Sequence, residues 1–211
     1  MTSCTGSKVK TYEFDQHYAE RSEAILAKLT LKNIDETAAI FLKLLDLNHG
    51  GTATSAINYR ANKSPEKVIL LLKLIIRILE LERERYPDVE SEFRKCLKDL
   101  VASVPYLTHL SYKESASSQQ VHKQLFTGQV TLVGHLTNGG ILEVELTNQM
   151  LESFFKERVP HSFDSMILLL SVCGNALGAT RRDEWIEKLK GEKMPKKLRS
   201  KLDIVISCLR E

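Results

Sequence analysis

The stretch Ser64–Arg85, SPEKVILLLKLIIRILELERER, constrains the fold more than any other part of the chain. It opens with a cap residue, Ser64, then Pro65, whose missing N–H costs nothing at a helix start, then Glu66 at the positive end of the helix dipole. From Val68 to Leu81 it is apolar except at Lys73, Arg77 and Glu80. With Glu84 these residues step by four, three and four, which places them along one narrow stripe of a helix. A helix wetted along one stripe must be covered on its remaining sides. The spacing therefore predicts a central helix in a layered helical domain, ended by Tyr86-Pro87. The charges in mid-run argue against a membrane span, and no membrane partner is expected.

The remaining periodicity is also helical. Tyr12–Leu29 places Phe14, Tyr18, Ile25, Leu26 and Leu29 at helical spacing. Thr30 or Asn33 is expected to cap a second helix with Ile34, Ala38, Phe41, Leu42, Leu44 and Leu45 facing inward, ended by Asn48-His49-Gly50-Gly51. Thr52–Asn62 reads as a short, weak helix using Ala53, Ala56, Ile57 and Tyr59. Pro87 is expected to start another, with Val89, Phe93, Cys96, Leu97, Leu100 and Val101 on one face. Ser103–Ser118 has Pro105, two tyrosines and a serine-rich run without a sustained period, and reads as a long loop. Helices resume over Val121–Leu136, Ile141–Phe155, Phe163–Leu177, Arg181–Lys190 and Lys196–Leu209, separated by Thr137-Asn138-Gly139-Gly140, Pro160 and Gly178. No segment reads as a strand. The expected fold is all-α: a flexible segment over residues 1–17, then one domain over 18–211 with a loop near 103–118. Helix–turn–helix units repeated about five times are the arithmetic of a HEAT-like α-solenoid.

Composition narrows the function classes. At 211 residues, 43% hydrophobic and 27% charged, the chain can bury a core without covalent staples. A net charge of +3 gives no global pull on nucleic acid. Cys4, Cys96, Cys173 and Cys208 form no C-x-x-C, which suits reduced thiols, with Cys96 and Cys173 as core filler. No apolar signal segment is present at the N-terminus, and a cytoplasmic location is expected.

Catalytic signatures are missing. There is no G-x-x-x-x-G-K-[ST], H-E-x-x-H or G-x-S-x-G, and the six histidines are isolated. Gly128 and Gly134, six apart in an apolar run with no lysine behind them, suit close helix packing better than a phosphate cradle. A Cys173/His135 or Cys173/His161 nucleophile pair stays open as an alternative, although nothing local in the sequence activates the thiol. The expectation is a non-enzyme without cofactor or metal. The tail from Arg181 is rich in cations, and Lys193, Lys196, Lys197, Arg199 and Lys201 form a candidate phosphate-binding cluster. The same residues also describe a solvated helix face, a reading favoured by the lack of interleaved aromatics.

Five phrases, in order, resemble the middle domain of eukaryotic translation initiation factor 4G. Ile25–Thr30, ILAKLT, is similar to its I-L-N-K-L-T; Phe93–Leu97, FRKCL, to F-R-K-L-L; Phe126–Val130, FTGQV, to F-I-G-E-L. Leu170–Leu177, LSVCGNAL, resembles L-T-T-I-G-K-x-L, and Lys197–Leu209 stands where the family has R-I-R-F-M-L-x-D-V-x-x-L. The resemblance covers nearly all of the chain after residue 20. It implies an arc of HEAT-type helix pairs that binds and activates a DEAD-box RNA helicase of the initiation factor 4A type, touching both helicase lobes and making translation initiation the expected process. By the same resemblance one lobe would meet Tyr12 and Phe14, and the other Asn175, Arg181, Arg182 and Asp183. RNA contact would fall on Lys193–Lys201. The chain departs from the family in having no Trp near its start, a shorter inter-repeat loop, and no Tyr-x-x-x-x-Leu-Φ sequence for the cap-binding protein. The scaffold of nonsense-mediated decay shares the fold, and Val130–Val133 followed by Gly134 resembles it, so an adaptor in mRNA decay or processing is the alternative.

Overall fold

The computed structural model describes residues 16–111, 116–157 and 160–210, with side chains at 17–102, 127–156 and 161–210. Ten α-helices account for nearly all of them, and no strand occurs among the described residues. They are α1 (Gln16–Ala27), α2 (Ile34–Asp46), α3 (Gly50–Lys63), α4 (Val68–Arg85), α5 (Glu92–Ser111), α6 (Ala116–Asn138), α7 (Val144–Glu157), α8 (Pro160–Cys173), α9 (Ala179–Gly191) and α10 (Lys196–Arg210). The all-α expectation holds.

Local chemistry explains most boundaries. Asn33 Oδ1 accepts the Thr30 N–H at 2.7 Å, while its amide donates to the Lys28 carbonyl at 3.0 Å, so one side chain ends α1 and opens the turn before α2. Pro160 is the first residue of α8, where a missing N–H is tolerated. Between α2 and α3 the expected glycine stop is displaced. Asn48 takes the left-handed conformation (φ 62°), and Gly50 and Gly51 open α3. Asparagine visits that region more readily than most residues, which frees the glycines for packing.

The long loop expected over 103–118 is largely helix. α5 continues to Ser111 and α6 begins at Ala116, so Pro105 lies within a helix. The apolar spacing Leu97, Val101, Val104, Leu107 carries the helical period past the proline, and a long helix absorbs the one hydrogen bond lost there. Conversely, α5 starts at Glu92 rather than at Pro87, and Val89 is 68% exposed instead of facing the core.

The helices touch in a regular order. α1 packs on α3, α3 on α5 and α5 on α7; α2 packs on α4, α4 on α6, α6 on α8 and α8 on α10. α3 also lies along α6. α9 reaches α7 through Trp185, whose indole N–H donates to Asn148 Oδ1 at 2.8 Å and whose ring meets Phe155 edge-on. One continuous core results, with Phe41, Phe93 and Phe154 fully buried. Each such side chain contributes about 1.5–3 kcal/mol relative to exposure.

The centre is α3 and α6 rather than α4. α4 buries Val68, Leu71, Leu74, Ile75 and Ile78 as expected, but its wetted face is broader than one stripe and includes Ile69 and Ile76. α3 looked weak because it is built of small residues. Those residues let its neighbours approach: Gly50 faces Cys96, and Ala61 meets Gly128 of α6. Tyr59, expected inward, is 46% exposed.

Candidate interaction surface

The polar residues singled out in the C-terminal third do meet, where the ends of α8 and α10 converge on the start of α9. Gly174 lets this happen, because a Cβ there would fall 2.5 Å from the Leu170 carbonyl oxygen and 3.0 Å from the Leu209 methyls. Gly178, with φ 79°, turns the chain into α9. Arg182 then lies across the junction. Its guanidinium donates to Asn175 Oδ1 at 3.1 Å, to the Leu209 carbonyl at 3.2 Å and to Asp183 Oδ1 at 3.0 Å, and its side chain is only 17% exposed. Capturing a carbonyl near the end of α10 also places a cation at the negative end of that helix.

Arg182 is therefore committed within the fold, and the face offered outward is that of Asn175, Asp183 and Arg181. Arg181 pairs with Glu145 of α7 at 3.1 Å. Both partners are about half exposed, so the pair orients the side chain more than it stabilises the fold. Tyr12 and Phe14, the other expected helicase contacts, lie outside the described residues.

The candidate phosphate-binding cluster divides in two. Arg199 donates to the Lys190 carbonyl at 2.9 Å and the Glu192 carbonyl at 2.8 Å, which ties α10 to the end of α9. Lys201 pairs with Asp164 of α8 at 2.6 Å. Among the neighbouring cations, Lys190 pairs with Glu187, and Lys188 stands over the Trp185 ring at 4.1 Å. Lys193, Lys196 and Lys197 remain exposed, with no ion pair to a described residue. Lys196 and Lys197 occupy the first turn of α10, which holds no acid. Spacing alone does not separate clamping cations from free ones, because the difference lies in carbonyls and carboxylates on other helices.

The other candidates resolve into packing. Gly128 and Gly134 are contact points between helices, the first against Ala61 and the second against Val172 of α8. Cys96 and Cys173 are buried. The Cys173 thiol donates to the Leu169 carbonyl at 3.1 Å, and burial pushes its pKa up to about 12. A nucleophilic cysteine requires the opposite shift. Burial also lowers the pKa of His135 on α6. No group of three metal-ligating side chains forms among the described residues, and none of their helices is long and apolar enough to cross a membrane.

One functional-looking side chain escaped the sequence. Glu82 of α4 is 6% exposed. Its carboxylate accepts the backbone N–H groups of Glu92 at 2.8 Å and Phe93 at 3.2 Å, together with the Ser91 hydroxyl. It caps α5 from a different helix, and it lies opposite the polar stripe, on the face that buries Leu71, Ile75 and Ile78. The chain matches no protein-family model and no curated protein.

Proposed function

We propose that this chain is a HEAT-type scaffold domain that binds and activates a DEAD-box RNA helicase of the initiation factor 4A type in translation initiation, without catalytic chemistry of its own. The observation that carries this reading is the packing order, in which α1 to α6 and α8 each lie along the second helix after them, and α7 meets α9 through Trp185, as stacked helix pairs do. The five family-like phrases fall in the same order along those helices. The raised Cys173 pKa supports leaving nucleophilic catalysis aside.

In this reading the outward face of Asn175, Arg181 and Asp183 meets one helicase lobe. The scaffold acts by binding one lobe arrangement more tightly than another, since only differential affinity shifts a conformational equilibrium. Lys193, Lys196 and Lys197 add an RNA contact beside it. An adaptor in mRNA decay would use the same surface on a different helicase.

The test is capture of purified helicase on the immobilised chain, with and without nucleotide, alongside the R181A/D183A variant. Exposed ion pairs of this kind contribute about 0–1 kcal/mol to folding, so the variant keeps its fold. Capture by the parent chain and at least tenfold weaker capture by the variant support the reading. Absence of capture in every nucleotide state contradicts it.

A further inference from the structure

A groove of about 490 Å³ opens where the end of α4, the 86–91 connection, the start of α5 and the α6–α7 turn meet. Its apolar lining comes from Ile76 and Leu79 of α4, from Tyr86, Pro87 and Val89, and from Ile141 after the turn. Ile76 is 39% exposed, Tyr86 38% and Val89 68%. A contiguous set of this kind, rimmed by charge, marks an interaction site more often than stray exposed side chains do.

The walls are held in place. Asp46 of α2 accepts the Tyr86 hydroxyl at 2.9 Å and pairs with Arg85 at 2.8 Å, fixing the ring. Glu82 secures the opposite wall by capping α5. Gly139 and Gly140 form the turn on the third side, Gly140 with φ 68°.

Charge selects the occupant. Both acids that line the groove are already engaged: Glu82 with the α5 backbone, and Glu80 with Arg77 at 3.1 Å. Both lining cations, Arg83 and Arg94, are exposed and have no ion pair with a described residue. Arg94 also acts at longer range on Glu143, but neither guanidinium is held in contact with a carboxylate of a described residue. An apolar floor under two exposed guanidinium groups is complementary to a chain that alternates large apolar residues with carboxylates, because guanidinium engages carboxylate in two parallel hydrogen bonds.

We propose that this groove docks a short acidic, leucine- or aromatic-bearing linear segment of a partner protein. The site is distinct from the α8–α10 surface and does not depend on the helicase reading.

The test is selection of a displayed library of random peptides on the whole chain, followed by titration of the enriched peptides. The expected result is enrichment of sequences that pair Asp or Glu with Leu, Phe or Trp. R83E/R94E should weaken their binding at least tenfold, V89D should do the same, and R181A/D183A should leave it unchanged. All of these changes are at exposed positions, and an unaltered melting temperature confirms the fold. Failure to enrich any sequence, enrichment of basic peptides, or binding indifferent to R83E/R94E overturns the proposal. So does sedimentation showing a dimer that V89D dissociates, since the groove's occupant is then a second copy.

Discussion

Gly128 of α6 lies so close to Ala61 of α3 that a Cβ built on it would stand 2.0 Å from the Ala61 carbonyl oxygen. The next residue reinforces the contact, since the Gln129 N–H donates to Asn62 Oδ1 at 2.7 Å. The two most central helices therefore meet backbone to backbone. Backbone cannot rotate away as a side chain would, so Gly128→Ala must part the helices. Overpacking costs typically about 1–3 kcal/mol, occasionally more, and a main-chain clash belongs at the upper end. Urea unfolding of G128A should show a loss of about 3 kcal/mol or failure to fold. Gly191→Ala, where no atom lies within 4 Å of the added Cβ, should change little.

Removing the Glu82 carboxylate tests the cross-helix cap. Glu82→Ala leaves the first N–H groups of α5 without their acceptor in a buried setting. The expected cost is about 2–3 kcal/mol, since the bonds are charge-assisted. Glu82→Gln keeps one acceptor and should recover part of the loss. Amide exchange at Glu92 and Phe93 is the local readout, and both variants should accelerate it.

Trp185 is the chain's one tryptophan, so its fluorescence reports how α9 docks on α7. Asn148→Ala leaves the buried indole N–H unpaired, at a cost of about 1–3 kcal/mol. Its emission should shift to longer wavelength in native buffer, with α9 loosening before the α3–α6 centre. Two separate transitions in N148A, by tryptophan emission and by circular dichroism, are the expected signature.

Cys173 gives a pH dependence with a definite sign. Its folded pKa is about 12, above the ordinary thiol value of 9.0, so the native state retains the thiol proton longer than the unfolded chain does. Its contribution to stability is complete below pH 9.0 and declines as pH rises from there towards 12. Cys173→Ala should flatten the fall in stability above pH 9. At neutral pH a thiol reagent should label exposed Cys208 rapidly and Cys173 only through unfolding.

If Lys193, Lys196 and Lys197 alone contact single-stranded RNA, the log–log dependence of affinity on salt should have a slope of about −2, from about −0.7 per phosphate. The triple Lys→Gln variant should flatten it towards zero. Lys201→Gln should not alter the slope, because Lys201 is paired with Asp164.

Helices with a regular apolar period were legible in the sequence. α2, α7 and α10 stand within a few residues of where the spacing predicts them. The packing role of Gly128 and Gly134 was also readable, since glycines in an apolar run without a lysine have little else to do. What the sequence did not display is what depends on partners distant along the chain. α3 looks feeble from composition, yet its smallness is what places it at the centre. Glu82 looks like part of a charged helix end, because the N–H groups it satisfies lie ten residues further on. Pro105 reads as a breaker because helix length, which absorbs its cost, is not a local property. Within the candidate surface, residue types alone could not tell Arg182 and Arg199, which bind carbonyls of the fold, from Lys196 and Lys197, which make no ion pair with a described residue.

The central claim is that the exposed rim of this helical stack regulates a helicase. The most direct measurement is the RNA-dependent ATPase rate of an initiation factor 4A-type helicase titrated with the chain. The account predicts a saturable increase of several-fold, reduced by R181A/D183A at equal concentration. A flat rate across the titration, with parent and variant alike, would contradict it.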